Sequence, residues 1–216
     1  MDGIDQFDRD AAAALMRVAA REGWGGVTMA AVAAEAGCGL APLRARYACR
    51  EALLGRFGTL IDAAAVTDPV IGDTPRERLF DVLMRRFDAL QPHRAGVLAV
   101  ARAAPSDPCL LALGVSAGVR SMGWMLEAAA IPASGLAGRL RAKALLAVWL
   151  GAFRAWAKDD SADLSATMAA LDRLLDRAES LARTLEPLLP GRAVPDAASA
   201  APQQEPEASS EAASPP

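Results

Sequence analysis

A chain of 216 residues with a net charge of −3 can bury the core of one large domain or two small ones, and is too acidic to coat a polyanion along its whole length. Hydrophobic residues make up 53% and aromatics only 5%, with alanine supplying the difference, a composition that favours helix over sheet. Three cysteines without C-x-x-C spacing argue against a disulfide scaffold and a zinc site, and fit a reducing cytoplasm.

The N-terminus, Met1-Asp2-Gly3-Ile4-Asp5, is acidic and unlike a signal peptide. Asp8 can cap a first helix through Leu15, Val18 and Ala19, which Gly23 ends. Thr28 can cap a short second helix, stopped by Gly37, and a third runs from Leu40 to Tyr47. A fourth follows Cys49, from Arg50 to about Val66, before a Pro/Gly linker from Thr67 to Asp73. Thr74-Pro75 opens a fifth helix carrying Phe80, Leu83, Met84, Phe87 and Leu90, which Pro92 breaks. A sixth spans about His93 to Ala104, and a seventh, interrupted by glycines, about Cys109 to Ala130. Leu145, Val148, Trp149, Ala152, Phe153 and Trp156 then share one helix face. Leu171, Leu174, Leu175, Ala178, Leu181 and Leu185 share another, in a helix ended by Pro187. The longest charge-free apolar stretch with aromatics, Ala144 to Phe153, is ten residues. A bilayer needs about 20, so no stable membrane insertion is expected. From Pro190 onward the chain is mostly Pro, Ala, Ser, Glu and Gln, with almost no large apolar side chain, a composition that predicts a disordered acidic tail.

These elements predict an all-α fold of about nine helices. Its organisation would be an acidic arm over residues 1–9, a helix-turn-helix over 10–56, a helical effector and dimerisation domain over 57–189, and a tail over 190–216. Two short helices joined by a glycine turn are the unit that lays its second helix in the DNA major groove.

The matching run is Ala19-Ala20-Arg21-Glu22-Gly23-Trp24, then Thr28 to Gly37, Leu43 to Tyr47 and Arg50-Glu51-Ala52-Leu53-Leu54. Over this first quarter the chain resembles the TetR family of bacterial transcriptional regulators. The resemblance implies a double-stranded DNA operator, a small apolar effector and a homodimer, with no cofactor, metal or catalytic activity. In such a regulator, effector binding favours a spacing of the two recognition helices that no longer matches grooves about 34 Å apart. Carried onto this sequence, the DNA-contacting set is Thr28, Gly39, Leu40, Arg44, Arg46, Tyr47 and Arg50.

The run also departs from the family. Gly39 stands where a capping Ser is usual, Leu40 where a Lys follows it, and Arg44 where a Tyr meets a phosphate. The usual basic arm is replaced by Asp2, Asp5, Asp8 and Asp10, which repel phosphate. Residues 11–60 nevertheless carry six arginines against three glutamates, so positive charge gathers around the third helix. Arg44, Arg46 and Arg50 read either as DNA contacts or as a solvated helix face; their place inside the helix-turn-helix favours contact. Val32, Ala36, Leu43, Leu53 and Leu54 read as the core of that module.

The second half is similar to the lipid-binding accessory proteins of ubiquinone biosynthesis, through Lys143 to Trp149, Lys158 to Asp163 and Ala169 to Arg173. That resemblance implies a TetR-like fold that has lost DNA binding and holds an isoprenoid lipid. The chain after Pro187, acidic with Arg192 as its only basic residue, lacks the amphipathic membrane helix of those proteins.

Phe80, Met84, Phe87, Trp124 and Met125 suit either core or the wall of an apolar pocket. Trp149, Phe153 and Trp156, with Leu174, Leu181 and Leu188, suit either the subunit's own core or a four-helix dimer interface. Gly114-Val115-Ser116-Ala117-Gly118 matches a nucleophile elbow but sits in a helical stretch, and the single histidine is His93. Its bland reading is a set of small residues that admit another helix or leave room for a ligand. His93 reads as a surface or capping residue, and Cys38, Cys49 and Cys109 as buried small residues.

Overall fold

The computed structural model describes residues 6–185. Among them it contains nine α-helices and no strand: α1 (Gln6–Gly26), α2 (Met29–Glu35), α3 (Leu40–Arg46), α4 (Arg50–Ala65), α5 (Pro75–Leu90), α6 (Arg94–Ala103), α7 (Pro108–Ala128), α8 (Gly135–Trp156) and α9 (Ser165–Leu185). The all-α expectation therefore holds. Asp2, Asp5, Leu188 and the tail lie outside the described residues.

Local chemistry sets the helix ends. Thr28 caps α2 by accepting a hydrogen bond from the Ala31 amide at 3.1 Å. Gly37, at φ 67°, makes the left-handed turn that ends it. Thr74 and Glu77 form a reciprocal capping box at the start of α5, with Pro75 at the first helical position. Asp107 caps α7 by accepting from the Leu110 amide at 3.0 Å. At Pro92 the chain makes a single 3-10 turn, Gln91–His93, and continues into α6. Gly23, at φ 71°, kinks α1, which runs on to Gly26.

α1 packs on α2, α4 and α6; α4 packs on α5 and α7; α8 lies between α7 and α9. α1 and α6 cross closely at Gly96, where a Cβ would meet the Met16 carbonyl oxygen at 2.2 Å. α1 passes through the expected 9/10 boundary and α4 through 56/57, so α4 is a rigid rod shared by the helix-turn-helix and the helices behind it.

Arginine supplies 21 of the 23 basic residues, and the turns use them. Arg50 donates to the Trp24 and Val27 carbonyls, Arg85 to those of Asp68 and Pro69, and Arg94 to those of Trp156 and Ala157. A planar fork can hold two adjacent carbonyls where a lysine ammonium offers a single point charge. In the α8–α9 turn, Asp159 accepts from Ser161 and Thr167, and these bonds hold its pKa far below the usual carboxylate range.

α7 is the one helix, among the described residues, long and apolar enough to cross a membrane. It packs on α4, α5 and α8 and carries Arg120 in its middle.

Candidate nucleic-acid interface and effector cavity

α3 is seven residues long and touches the body of the protein mainly through Leu43, which is fully buried. Leu40, Ala41, Pro42, Arg44, Ala45 and Arg46 are exposed. Gly39 is the N-cap residue and supplies no side-chain cap. The helix therefore presents a face of small and apolar side chains with two arginines.

The two arginines differ. Arg46, the last residue of α3, pairs with Asp8 at 2.6 Å. Asp8 is buried in the first turn of α1, so it is neither the cap of that helix nor an exposed repeller of phosphate. Tyr47 donates its hydroxyl to Asp8 at 2.5 Å, and Arg56 of α4 donates its Nε at 2.7 Å. Asp8 thus ties α1 to the end of α3 and to α4. Burial alone would raise the pKa of Asp8, but hydrogen bonds from Tyr47, Arg46 and Arg56 outweigh it and hold the carboxyl below its ordinary value. Burial and the bond to Asp8 push the Tyr47 phenol up to about 12.

Arg50 also works inside the fold. Besides the two carbonyls, it pairs with Glu51 at 2.9 Å and lies 4.6 Å over the Trp24 ring. Arg17 and Arg21 both pair with Glu35, whose pKa they lower. Of the DNA-contacting set, Thr28 is a cap, Tyr47 and Arg50 are held internally, and Gly39, Leu40 and Arg44 are exposed. Arg44 makes no ion pair with any described residue. The positive surplus is also smaller than residues 11–60 indicate, because Gln6–Ala65 carries seven arginines against six acids. The sequence window stopped short of Asp8, and no local pattern links residues separated by 38 or more positions.

Behind this module a cavity of about 660 Å³ lies among α4, α5, α6, α7 and α8. Its wall includes Leu54, Gly55, Gly58 and Asp62 of α4, Arg86 of α5 and Val97 and Val100 of α6. Leu113, Gly114, Ala117, Gly118, Ser121 and Trp124 come from α7, and Leu146, Trp149, Leu150 and Phe153 from α8. Of the five expected pocket residues only Trp124 is on this wall. Phe87 and Met125 are fully buried core, and Phe80 and Met84 pack partly buried against that core. In the small-residue run of α7, Gly114 opens onto the cavity, whereas Gly118 admits Leu146 of α8, which a Cβ there would meet at 2.8 Å. Ser116 donates to the Leu113 carbonyl at 3.0 Å within an unbroken helix, which is not the strand–turn–helix setting of a nucleophile elbow.

The aromatic stripe of α8 faces inward. Phe87 stacks on Trp149 with centroids 4.1 Å apart, Trp156 is fully buried, and Phe153 lines the cavity. Leu174 is partly buried against the same core. These four belong to the subunit's own interior: Phe87 and Arg86 of α5 cover Trp149, and Leu174 of α9 packs at Gly151 of α8. Leu181 is 63% exposed and stays available. His93 takes the N-cap position of α6 without a side-chain cap bond and is half-buried, edge-on to Phe57 at 5.3 Å, rather than on the surface. Burial and the nearby Arg17 lower its pKa. Cys49 and Cys109 are exposed and Cys38 half-buried, so none is the buried residue expected. No cluster of metal-ligating side chains occurs among the described residues.

No protein-family model and no curated protein sequence matches the chain. Solved structures do match. A TetR transcriptional regulator from Nitrosomonas europaea is 20% identical with a TM-score of 0.66, the match covering 82% of this chain and 99% of that one. A TetR transcriptional regulator from a Rhodococcus species is 19% identical with a TM-score of 0.59, covering 80% and 94%. A putative TetR-family regulator, also from Rhodococcus, is 17% identical with a TM-score of 0.56, covering 82% and 98%. None of these is described as a lipid-binding accessory protein, and that second resemblance gains no support from them.

Proposed function

The chain has the fold of the TetR-type transcriptional regulators, and we propose that it is a DNA-binding regulator of that kind, a repressor released by a small, largely apolar effector. The observation that carries the reading is α3: a short exposed helix after a glycine turn, its far end fixed by Asp8, with Arg44 exposed and without an ion pair among the described residues. Arg44 reaches a phosphate or a guanine edge. Leu40, Ala41 and Ala45 are suited to the apolar contacts that thymine methyl groups offer in the major groove. Arg46 keeps the helix in place through Asp8. The cavity takes the effector, and α4, which runs from the base of the helix-turn-helix to Asp62 on the cavity wall, couples the two sites.

The protein acts as a homodimer in this reading. Leu136, Arg139, Leu140, Lys143, Ala147, Leu150 and Arg154 form one exposed stripe along α8, and Leu181 lies exposed on neighbouring α9. This outer face, not the Trp149–Trp156 face, joins the two copies. Sedimentation equilibrium at micromolar concentration gives a dimer that Leu140→Glu dissociates; a wild-type monomer contradicts the assignment.

The direct test is fluorescence anisotropy on DNA from upstream of the protein's own gene. A regulator binds that DNA more tightly than a scrambled duplex, with affinity falling as salt rises and counterions are released. Equal binding to both duplexes removes the reading.

A further inference from the structure

The cavity has one polar corner. Arg86 donates its Nε to Asp62 Oδ1 at 2.9 Å, and Ser121 donates its hydroxyl to the same oxygen at 2.7 Å. The Arg86 guanidinium lies 4.3 Å over the Trp149 ring, and its side chain is only 12% exposed. Its position is therefore fixed by an ion pair on one edge and an aromatic face on another. Its two η nitrogens donate to no described residue, although Arg86 is part of the cavity wall. Elsewhere in this fold partly buried guanidinium groups place at least one η nitrogen on a carbonyl or carboxylate, as Arg50, Arg76 and Arg94 do.

The charges around the cavity are also uneven. Four ionisable side chains line it: Glu51, Asp62, Arg86 and Arg120. Glu51 is held by Arg50, outside the wall. Asp62 is matched by Arg86. Arg120 has no ion pair among the described residues. Arg120 is solvent-exposed, so the lining carries one hydrated positive charge besides an oriented Arg86 edge that has no acceptor among the described residues. Besides Ser121 and Thr59, the wall is mainly apolar, with Val97, Val100, Leu146, Leu150 and Phe153.

We propose that this cavity binds an amphipathic carboxylic acid, with its carboxylate on the η nitrogens of Arg86 and its apolar body along the α6 and α8 wall. The proposal rests on the effector reading of the cavity and adds the chemical class. A planar carboxylate matches the planar guanidinium edge with two parallel hydrogen bonds. Asp62 limits the site to a monoanion, because it already neutralises part of the Arg86 charge and would repel a second negative charge. An alcohol or amide offers the Arg86 edge one neutral acceptor where a carboxylate offers two charged ones, and an ammonium would be repelled by the guanidinium.

The test uses DNA-free protein and calorimetric titration with three probes of one chain length: decanoate, 1-decanol and decyltrimethylammonium. Decanoate binds one per chain, about 10-fold or more tighter than decanol, and decyltrimethylammonium is weakest. Arg86→Lys keeps a charge beside Asp62 and loses the fork, so it weakens decanoate by about 10-fold while decanol stays within about 2-fold. A thermal melt of the variant shows that it is folded, and Arg120→Gln, away from the Asp62 pair, should also weaken decanoate selectively. Decanol or the ammonium binding as tightly as decanoate, an unchanged Arg86→Lys, or no binding of any probe overturns the proposal. Loss of this proposal leaves the regulator reading standing, since that reading is measured on DNA without any probe.

Discussion

Asp8 and Arg86 are both buried charges, and the fold treats them in opposite ways. Asp8, whose side chain is 2% exposed, has Arg46, Tyr47 and Arg56 around it. Arg86 receives one carboxylate and one aromatic face, and its η nitrogens have no acceptor among the described residues. A saturated charge locks helices together, whereas an unsaturated charge facing a cavity is poised for a ligand. The same contrast separates the arginines of the helix-turn-helix. Arg46 and Arg50 are committed to the fold, and Arg44 is not.

The largest effect expected on this contrast comes from Asp8→Ala. It removes the acceptor of a buried hydroxyl and the shared carboxylate of two partly exposed arginines, and should cost about 2–3 kcal/mol in urea unfolding. A loss below about 1 kcal/mol would mean that the cluster is an ordinary surface ion pair. Because the folded pKa of Asp8 is depressed, its contribution is present above the ordinary carboxylate range, about pH 4, and fades as pH falls through the lower folded value. An acid titration of stability in wild type and Asp8→Ala should therefore converge at low pH.

Arg50→Met removes two carbonyl bonds and the stacking on Trp24, and should destabilise by about 2 kcal/mol. If it instead leaves stability unchanged and abolishes DNA binding, Arg50 belongs with Arg44. Tyr47 gives a spectroscopic handle because it is the only tyrosine in the chain. Phenolate absorbance should titrate at about 12 in the folded protein and at about 10 in urea. The raised folded value means that this stabilisation is complete below about pH 10 and is lost as pH rises through the folded value. Tyr47→Phe should cost about 1 kcal/mol, and a folded-state titration near 10 would remove the phenol from the Asp8 cluster. Smallest of all, Thr28→Ala should lose about 1 kcal/mol or less as an ordinary helix cap, whereas a selective loss of DNA affinity would move Thr28 to the interface.

The helices were readable because their signals are local. Thr28, Gly37, Thr74-Pro75 and the 3.6-residue stripe of α8 each act within a few positions, and each appears where expected. The Asp8 cluster was hidden because Arg46, Tyr47 and Arg56 reach it across 38 to 48 residues of chain. The cavity was misplaced for a different reason. Methionine and aromatic residues such as Phe87 and Met125 fill space and became core. Space itself is left by residues without side chains, Gly55 and Gly58 on α4 and Gly114 on α7, while Gly118 admits the Leu146 side chain of α8. Paired glycines on two long helices were the available signal, and only the α7 pair was read that way. The α8 stripe was correctly identified as apolar, but periodicity says which residues share a face and not which partner covers it. Here α5 covers it through Phe87 and Arg86.

The central claim is that Arg44 contacts DNA while its neighbours hold the fold. Arg44→Ala should be measured for urea stability and for upstream-DNA affinity in the same buffer, across a range of salt. The account predicts stability within about 0.5 kcal/mol of wild type, affinity lower by about 1–3 kcal/mol if the contact is bidentate to a base, and, if it is to a phosphate, a shallower salt slope. Unchanged affinity with an unchanged salt slope would contradict it.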